Sequence, residues 1–200
     1  MRRRILPTLA VLLLFGAGCD YLGPAGTVRT AVMGESIAAG AEAELRAEIS
    51  GQRQIYTLLI NHRWISEMQV ALPGVIEDPA LRILVVQLGV NDTAEKRTNV
   101  QMRADIRRFL RTAAPQVECV WWLDIKEDVL THNPTYDARA PIFNDILRQE
   151  AALFPNVHVA DYDAWASARP QYMGKDGLHL SGAGRIAFAS WVEGTLLNAC

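Results

Sequence analysis

The amino-acid sequence predicts one α/β domain, a three-layer α/β/α sandwich built on a five-stranded parallel sheet. Short apolar runs alternate with stretches of helical periodicity along the chain, which is the pattern of strands joined by crossover helices. Half of the 200 residues are hydrophobic and 21% are charged, so the chain can bury the core of a single domain. We therefore expect helices on both faces of the sheet.

The first strand is predicted over residues 27–33, an apolar run that ends at Gly34. Residues 37–49 are rich in Ala and Glu, which are good helix formers, and Gly51 follows as a stop signal. A second apolar run over residues 55–60 predicts the second strand. These segments form the first strand-helix-strand unit.

The middle of the chain continues the alternation. Residues 63–72 are predicted to be helical, and Pro73 and Gly74 are expected to end that helix because proline interrupts helical hydrogen bonding. Residues 81–88 form an apolar run of the kind that a strand buried on both faces requires, and it ends at Gly89. This run predicts the third strand.

The last part supplies two more strands and three helices. Residues 99–113 place apolar side chains at helical spacing and arginines on the other side, which predicts an amphipathic surface helix. Strands are predicted over 117–125 and 157–160, with a helix over 139–153 between them. Ser181 is expected to cap the final helix, which runs to the C-terminus.

The N-terminus has the features of an export signal. Three arginines precede an apolar run that is too short to span a bilayer comfortably, and small residues then lead to Cys19. This segment resembles a bacterial lipobox, which implies a signal peptide over 1–18, a lipidated Cys19, a tether over 19–26 and the domain over 27–200. Because Gly16 stands where that motif usually has Leu, cleavage by an ordinary signal peptidase is the alternative. In both cases we expect an exported protein, either anchored by lipid and facing the periplasm or cell exterior, or soluble there.

The charge pattern argues against nucleic acid as a partner. The formal net charge is -2, and the arginines are scattered except at the extreme N-terminus. A nucleic-acid-binding protein usually carries a basic stripe or patch. We therefore expect no nucleic-acid partner, and membrane contact only through the lipid anchor.

Three polar motifs fall where strands end, and in a parallel α/β sheet ligands bind at that edge. Asp176 and His179 lie three positions apart in a loop tightened by Gly177, so the carboxylate could hold one ring nitrogen and leave the other as a base. Ser36 follows the first strand at a helix N-terminus, which suits a nucleophile, although a plain N-cap is the alternative. Asn91 follows the third strand, where its amide could donate to an oxyanion; an ordinary Asn-Asp turn is the alternative.

In chain order these motifs are Gly-x-Ser, Gly-x-Asn-Asp and Asp-x-x-His, and this order resembles that of the SGNH (GDSL-like) hydrolase family over the whole mature domain. The resemblance implies a flavodoxin-like topology and a catalytic triad of Ser36 as nucleophile, His179 as base and Asp176 as the residue that orients the base. It implies an oxyanion hole formed by Ser36, Asn91 and a residue after the second strand. It implies no cofactor and no metal.

The sequence departs from the family pattern at two positions. Glu35 stands beside the serine where the family usually has Asp. His62 stands after the second strand, where a glycine normally gives its backbone N–H to the oxyanion. A backbone N–H does not require glycine unless φ is positive or the substrate needs the space, so we expect His62 to take this place in the oxyanion hole.

The resulting hypothesis is a serine ester hydrolase of the cell envelope, of the esterase, lipase or carbohydrate O-deacylase type. An acyltransferase using the same site and a non-catalytic envelope-binding module with the same fold are the alternatives. The α/β-hydrolase motif Gly-x-Ser-x-Gly is not matched, because Ala38 stands in its last position. His132, in the loop after the fourth strand, and His158, within the fifth, lack metal-ligand spacing.

Two cysteines are expected to pair. Cys119 begins the predicted fourth strand and Cys200 ends the last helix, which runs antiparallel to the strands. Both should therefore lie close together at the amino-terminal edge of the sheet. In an exported protein, neighbouring cysteines can be oxidised to a disulfide. We predict a Cys119–Cys200 disulfide; the alternative is a buried thiol and a second thiol at the frayed C-terminus.

Overall fold

The computed structural model describes residues 29–95, 97–129 and 133–200. It contains one parallel sheet of five strands in the order β2-β1-β3-β4-β5. The strands are β1 (Arg29–Gly34), β2 (Gln54–Leu59), β3 (Leu81–Gln87), β4 (Cys119–Leu123) and β5 (Val157–Ala160). This arrangement confirms the predicted fold class.

Eight α-helices connect and cover the strands in the described part of the chain. They are α1 (Ser36–Gly40), α2 (Glu42–Ile49), α3 (Ile65–Ile76), α4 (Val90–Ala94), α5 (Asn99–Ala113), α6 (Pro134–Ala151), α7 (Tyr162–Ser167) and α8 (Gly182–Trp191). After α8 the chain continues through a π-helical turn, Val192–Leu196, and a 3-10 turn, Leu197–Ala199. None of the described helices is long and apolar enough to cross a membrane.

The core lies on both faces of the central strands. Helices α3, α5 and α6 pack side by side, while α2 packs against α8, as right-handed crossovers on two faces of a parallel sheet require. Strand β1 is buried from Thr30 to Gly34, and β3 is buried at every position except Arg82. The loops at the carboxyl ends of these central strands are therefore held by a rigid scaffold.

Helix α3 runs through Pro73 and Gly74, where the sequence predicted its end. A proline inside a helix costs roughly 3 kcal/mol. Val75 and Ile76 lie beyond it and are only 5% and 9% exposed, and burying one such side chain contributes roughly 1.5–3 kcal/mol. Tertiary packing therefore outweighs the local stop signal.

The other differences from the predicted elements are small. The predicted first helix is divided at Ala41 into α1 and α2, and α6 begins at Pro134 because Asn133 caps it by accepting the N–H of Tyr136 at 3.1 Å. The short helices α4 and α7 were not predicted. The predicted leader, Cys19, the tether and His132 lie outside the described residues.

The structure places a disulfide between Cys119 and Cys200, with a Cα–Cα distance of 6.2 Å, at the amino-terminal edge of the sheet. It closes a loop with a sequence separation of 81 residues, and cross-links of this kind typically stabilise a fold by about 2–4 kcal/mol. We expect Cys200→Ser to lower the free energy of unfolding by that amount, measured by urea denaturation. In protein prepared with Cys19→Ser, denatured without reductant, no thiol should titrate; two thiols per chain would rule out the bond.

Candidate active site

Ser36 lies at the carboxyl edge of the sheet, directly after the central strand β1, and begins helix α1. It is half-buried, and among the described residues its backbone N–H has no hydrogen-bond acceptor, as is normal in the first turn of a helix. Its hydroxyl group and its free N–H are therefore presented at the edge where ligands bind in parallel sheets.

The hydroxyl of Ser36 contacts the imidazole of His179, which contacts the carboxyl group of Asp176. The distance from Ser36 Oγ to His179 Nε2 is 3.0 Å, and His179 Nδ1 lies 2.5 Å from Asp176 Oδ2. The side chains of His179 and Asp176 are 47% and 35% exposed. A hydroxyl, an imidazole and a carboxylate in this order can move a proton from the serine to the ring.

The loop before α8 fixes Asp176 in this position. Its Oδ1 accepts the backbone N–H groups of Leu178 and His179, both at 3.0 Å. This turn passes through Gly177, whose φ of 71° lies in the left-handed region that glycine adopts without strain. Burial opposes ionisation of Asp176, but the hydrogen bonds from the imidazole and these two N–H groups outweigh it and hold the pKa of Asp176 below its usual value. The carboxylate is thus ready to stabilise a protonated ring.

The turn after β3 carries Asn91 and depends on Gly89. The φ of Gly89 is 126°, and a Cβ atom at this position would lie 2.1 Å from Cζ of Phe143, so no other residue fits. From this turn three successive backbone N–H groups point to the carboxyl group of Glu35: those of Gly89, Val90 and Asn91, at 2.9, 2.7 and 3.3 Å. The turn is therefore fixed by the residue beside Ser36.

Asn91 is half-buried, and its amide Nδ2 donates one hydrogen bond to Oε2 of Glu35. An amide NH₂ group has two N–H donors, so a second one remains for a ligand. The sequence predicted only a donor directed at an oxyanion. The structure adds the contact that holds this side chain.

Asp92 ties the neighbouring loop to this turn. It is fully buried, and its Oδ2 accepts the backbone N–H of Ile65, the first residue of α3, at 3.0 Å. The loop that carries His62 and the turn that carries Asn91 are thus linked through Asp92. Neither Glu35 nor Asp92 was predicted to have a role, although an acidic residue next to each motif was visible in the sequence.

His62 has a φ of 55° and is the one non-glycine residue with positive φ among those that the structure describes. It is exposed, and its backbone N–H has no acceptor within the described ranges. The left-handed backbone conformation is the one that glycine adopts most easily. The structure therefore gives a physical reason why a glycine would suit this position, and it shows that histidine keeps the glycine-like geometry.

Glu35 is a buried acid, and burial raises its pKa to about 8, while the N–H groups of the β3 turn lower it and the nearby charge of Asp92 raises it. Burial also raises the pKa values of Asp92 and Asp124, each to about 6. In the folded state Glu35 thus keeps a proton at pH values where an unfolded chain, with its usual pKa near 4.5, has lost it. This contribution to stability is complete below the unfolded pKa and is lost as the pH rises through the folded pKa.

We expect the free energy of unfolding to fall by about 2 kcal/mol between about pH 6 and pH 8. Of the three buried acids with raised pKa values, Glu35 is the main one that ionises in this range. Urea denaturation at both pH values measures this. In a Glu35→Gln variant, which has no carboxyl group to titrate, the fall should be clearly smaller. An equal fall in both proteins would show that Glu35 does not have a raised pKa.

Among the described residues, His158 lies apart from this group. On β5, the imidazole of His158 packs against the indole of Trp121, with ring centroids 4.8 Å apart. Within the described ranges, no three histidine, cysteine, aspartate or glutamate residues are grouped so that they could hold a metal ion.

The parallel α/β/α sandwich with a hydroxyl, an imidazole and a carboxyl group at its carboxyl edge defines a class: the flavodoxin-like hydrolases. Residues 24–185 match the sequence profile of the GDSL-like Lipase/Acylhydrolase family. The chain belongs to that family, as its motifs predicted. It is therefore an enzyme, a hydrolase that acts on ester bonds.

Solved structures share this fold at low sequence identity. The catalytic domain of peptidoglycan O-acetyltransferase A (OatA) from Streptococcus pneumoniae is 18% identical, with a TM-score of 0.68 over 86% of this chain and 94% of that one. A lipase/acylhydrolase from Enterococcus faecalis is 14% identical, with a TM-score of 0.71 over 86% and 96%. An acetyl xylan esterase from Geobacillus stearothermophilus is 13% identical, with a TM-score of 0.65 over 84% and 94%. No curated protein sequence matches the chain significantly.

Proposed function

We propose that the protein is a serine ester hydrolase that works through an acyl-enzyme. Ser36 Oγ attacks the acyl carbonyl while His179 Nε2 takes its proton, and His179 then gives that proton to the leaving alcohol. Water, deprotonated by the same ring, releases the acid and restores the serine. Asp176 orients the imidazole. The observation that carries the proposal is the continuous contact from Ser36 Oγ through the ring of His179 to Asp176, at 3.0 and 2.5 Å.

The negative charge that develops on the carbonyl oxygen needs donors, and three are available. They are the N–H of Ser36, the N–H of His62 and the second amide N–H of Asn91. The first two have no acceptor among the described residues, and the third belongs to a side chain that Glu35 holds in place. Preorganised donors of this kind stabilise an oxyanion without reorganisation during the reaction.

The substrate proposed here is an acyl ester of a small molecule or a glycan. The side chain of His179 is 47% exposed, so the reacting atoms are accessible to an acyl group attached to a bulky alcohol. Two of the similar structures carry carbohydrate-directed names, a peptidoglycan O-acetyltransferase and an acetyl xylan esterase. The predicted export signal and lipid anchor at Cys19 would place the enzyme in the cell envelope, where acylated glycans occur.

Acyl transfer is the second candidate, since one similar structure is named an O-acetyltransferase. Transfer would use the same residues, with a sugar hydroxyl instead of water as the second nucleophile. Supplying a glycan acceptor together with an aryl acetate separates the two: release of free acetate alone supports hydrolysis, and an acetylated acceptor supports transfer.

A fluorophosphonate probe, which reacts with activated serines, tests the proposed nucleophile. We expect the purified protein to be labelled at Ser36 and a Ser36→Ala variant to remain unlabelled. Ser181, which caps α8 by accepting the N–H of Gly184 at 3.1 Å, gives a matched control. The Ser181→Ala variant should be labelled like the wild type. A folded wild-type protein that resists the probe would support a non-catalytic binding module instead.

His62 is expected to contribute its backbone N–H and not its imidazole. His62→Gly should therefore keep kcat within about threefold of the wild-type value. Glycine removes the strain of the left-handed conformation but adds backbone freedom, and these two effects change stability in opposite directions by roughly 1 kcal/mol each. His62→Ala, which removes the imidazole but keeps the Cβ atom at a φ of 55°, is the matched control. Steady-state kinetics on an aryl ester decide the matter. A loss in both variants as large as that from removing Asn91 would assign the imidazole a chemical role.

A further inference from the structure

The carboxyl group of Glu35 accepts four hydrogen bonds, all from three successive residues of the turn after β3. Its Oε1 accepts the N–H groups of Gly89 and Val90 at 2.9 and 2.7 Å. Its Oε2 accepts the backbone N–H of Asn91 at 3.3 Å and also the side-chain amide of Asn91. Glu35 is fully buried, so water does not replace these partners. Four N–H donors of the turn after β3 therefore converge on this one buried carboxyl group.

The backbone of Glu35 is fixed as firmly as its side chain. Its N–H donates to the carbonyl of Gln87 at 3.0 Å, which extends the β1–β3 pairing by one residue. Its carbonyl accepts the N–H of Ala39 at 2.8 Å and so begins α1. One residue thus connects the backbone that carries Ser36 with the side chain of Asn91.

We propose that Glu35 is a positioning residue that orients the amide of Asn91 towards the reacting carbonyl. The NH₂ group of an amide is planar, so fixing one N–H on Glu35 also fixes the direction of the other. The free N–H then points in one direction before the substrate arrives. This role rests on the proposed function, in which Asn91 is an oxyanion donor.

The length of the side chain matters for this role. Replacing Glu35 by Asp, the residue usual in the family, withdraws the oxygens by roughly one C–C bond, about 1.5 Å. Hydrogen bonds of 2.7–2.9 Å would then exceed the range in which such bonds form. The geometry predicts that Asp is not a conservative replacement in this chain.

A double-mutant cycle tests whether Glu35 acts through Asn91. Kinetics are measured at about pH 9, where Glu35 is ionised, on the full mature chain with an aryl ester. We expect Glu35→Gln to lower kcat by about 10-fold or more with KM within about twofold, since the oxyanion bond is made mainly in the transition state. The double variant with Asn91→Ala should be no slower than Asn91→Ala alone. Losses that multiply would overturn the proposal.

Glu150→Gln is the matched control, because Glu150 is also a buried glutamate but is bonded to Arg103 and Arg107 on α5. It should leave kcat unchanged even where it lowers the melting temperature. If Glu35→Gln does not fold, Glu35→Asp takes its place in the cycle, with the same expected coupling.

A second readout needs no activity. In the NMR spectrum of the wild-type protein, one proton of the Asn91 side-chain amide should be shifted downfield by its bond to the carboxyl group of Glu35, and Glu35→Gln should abolish this shift. Its absence in the wild type would overturn the proposal. Ser36→Ala should keep the shift, so failure of the proposed catalysis and failure of this inference give different results.

Discussion

Ser36→Ala and His179→Ala are each expected to lower kcat for a short-chain aryl ester by about 10³-fold or more. Ser36 without its base is a weak nucleophile, and the base without Ser36 has no proton to remove. The 3.0 Å contact between Ser36 Oγ and His179 Nε2 makes the two residues one unit. Their losses should therefore not multiply: the double variant is expected to be about as slow as either single variant. Initial rates over a range of substrate concentrations measure this.

Controls for this prediction come from the same residue types elsewhere in the chain. Ser181→Ala removes a helix cap and is expected to cost about 1 kcal/mol of stability without lowering kcat. His158→Ala removes an exposed imidazole that packs on Trp121, and it should also leave kcat unchanged. Near-wild-type hydrolysis by Ser36→Ala or His179→Ala would refute the acyl-enzyme mechanism.

The sequence was sufficient to predict the sheet because each central strand is a distinct apolar run between turn signals. The helix Asn99–Ala113 was predicted with its observed bounds, since its apolar side chains repeat at helical spacing and Thr98 caps it. Helices α4 and α7 have five and six residues, too few for a periodic pattern to appear. The continuation of α3 past Pro73 depends on packing against other elements, which a local stop signal does not report.

The sequence predicted those residues of the site that belong to recognisable motifs. Ser36 and His179 are 143 positions apart in the chain, and only the order of the motifs along the strands indicated that they would meet. The bonds that Glu35 accepts from the turn after β3 were not predictable, because they depend on how β1 and β3 pair. The positive φ of His62 was not predictable either, because a histidine in a loop does not by itself indicate a left-handed backbone conformation. The two departures from the family pattern are thus a buried carboxyl group that accepts bonds from the turn after β3 and a loop residue with positive φ.

The second large effect is expected from Asn91→Ala, which should lower kcat by about 10²–10³-fold, the loss typical of removing one oxyanion donor. KM should change little, because the bond strengthens as charge develops on the carbonyl oxygen. The loss is expected to exceed that from His62→Gly, since Asn91 donates through its side chain, while a glycine at position 62 still has an N–H. Steady-state kinetics on one aryl ester compare the two variants directly.

Asn156→Ala is the matched control for Asn91→Ala. The amide of Asn156 donates to the carbonyls of Ala114 and Val117, both at 2.9 Å, just before β4 and β5 and therefore at the opposite edge of the sheet from Ser36. Its removal should lower stability, since two carbonyls lose a donor, and leave kcat unchanged. If Asn91→Ala behaves like this control, the oxyanion is held by the backbone N–H groups alone. The bond that the Asn91 amide donates to Glu35 would then only support the fold of the turn.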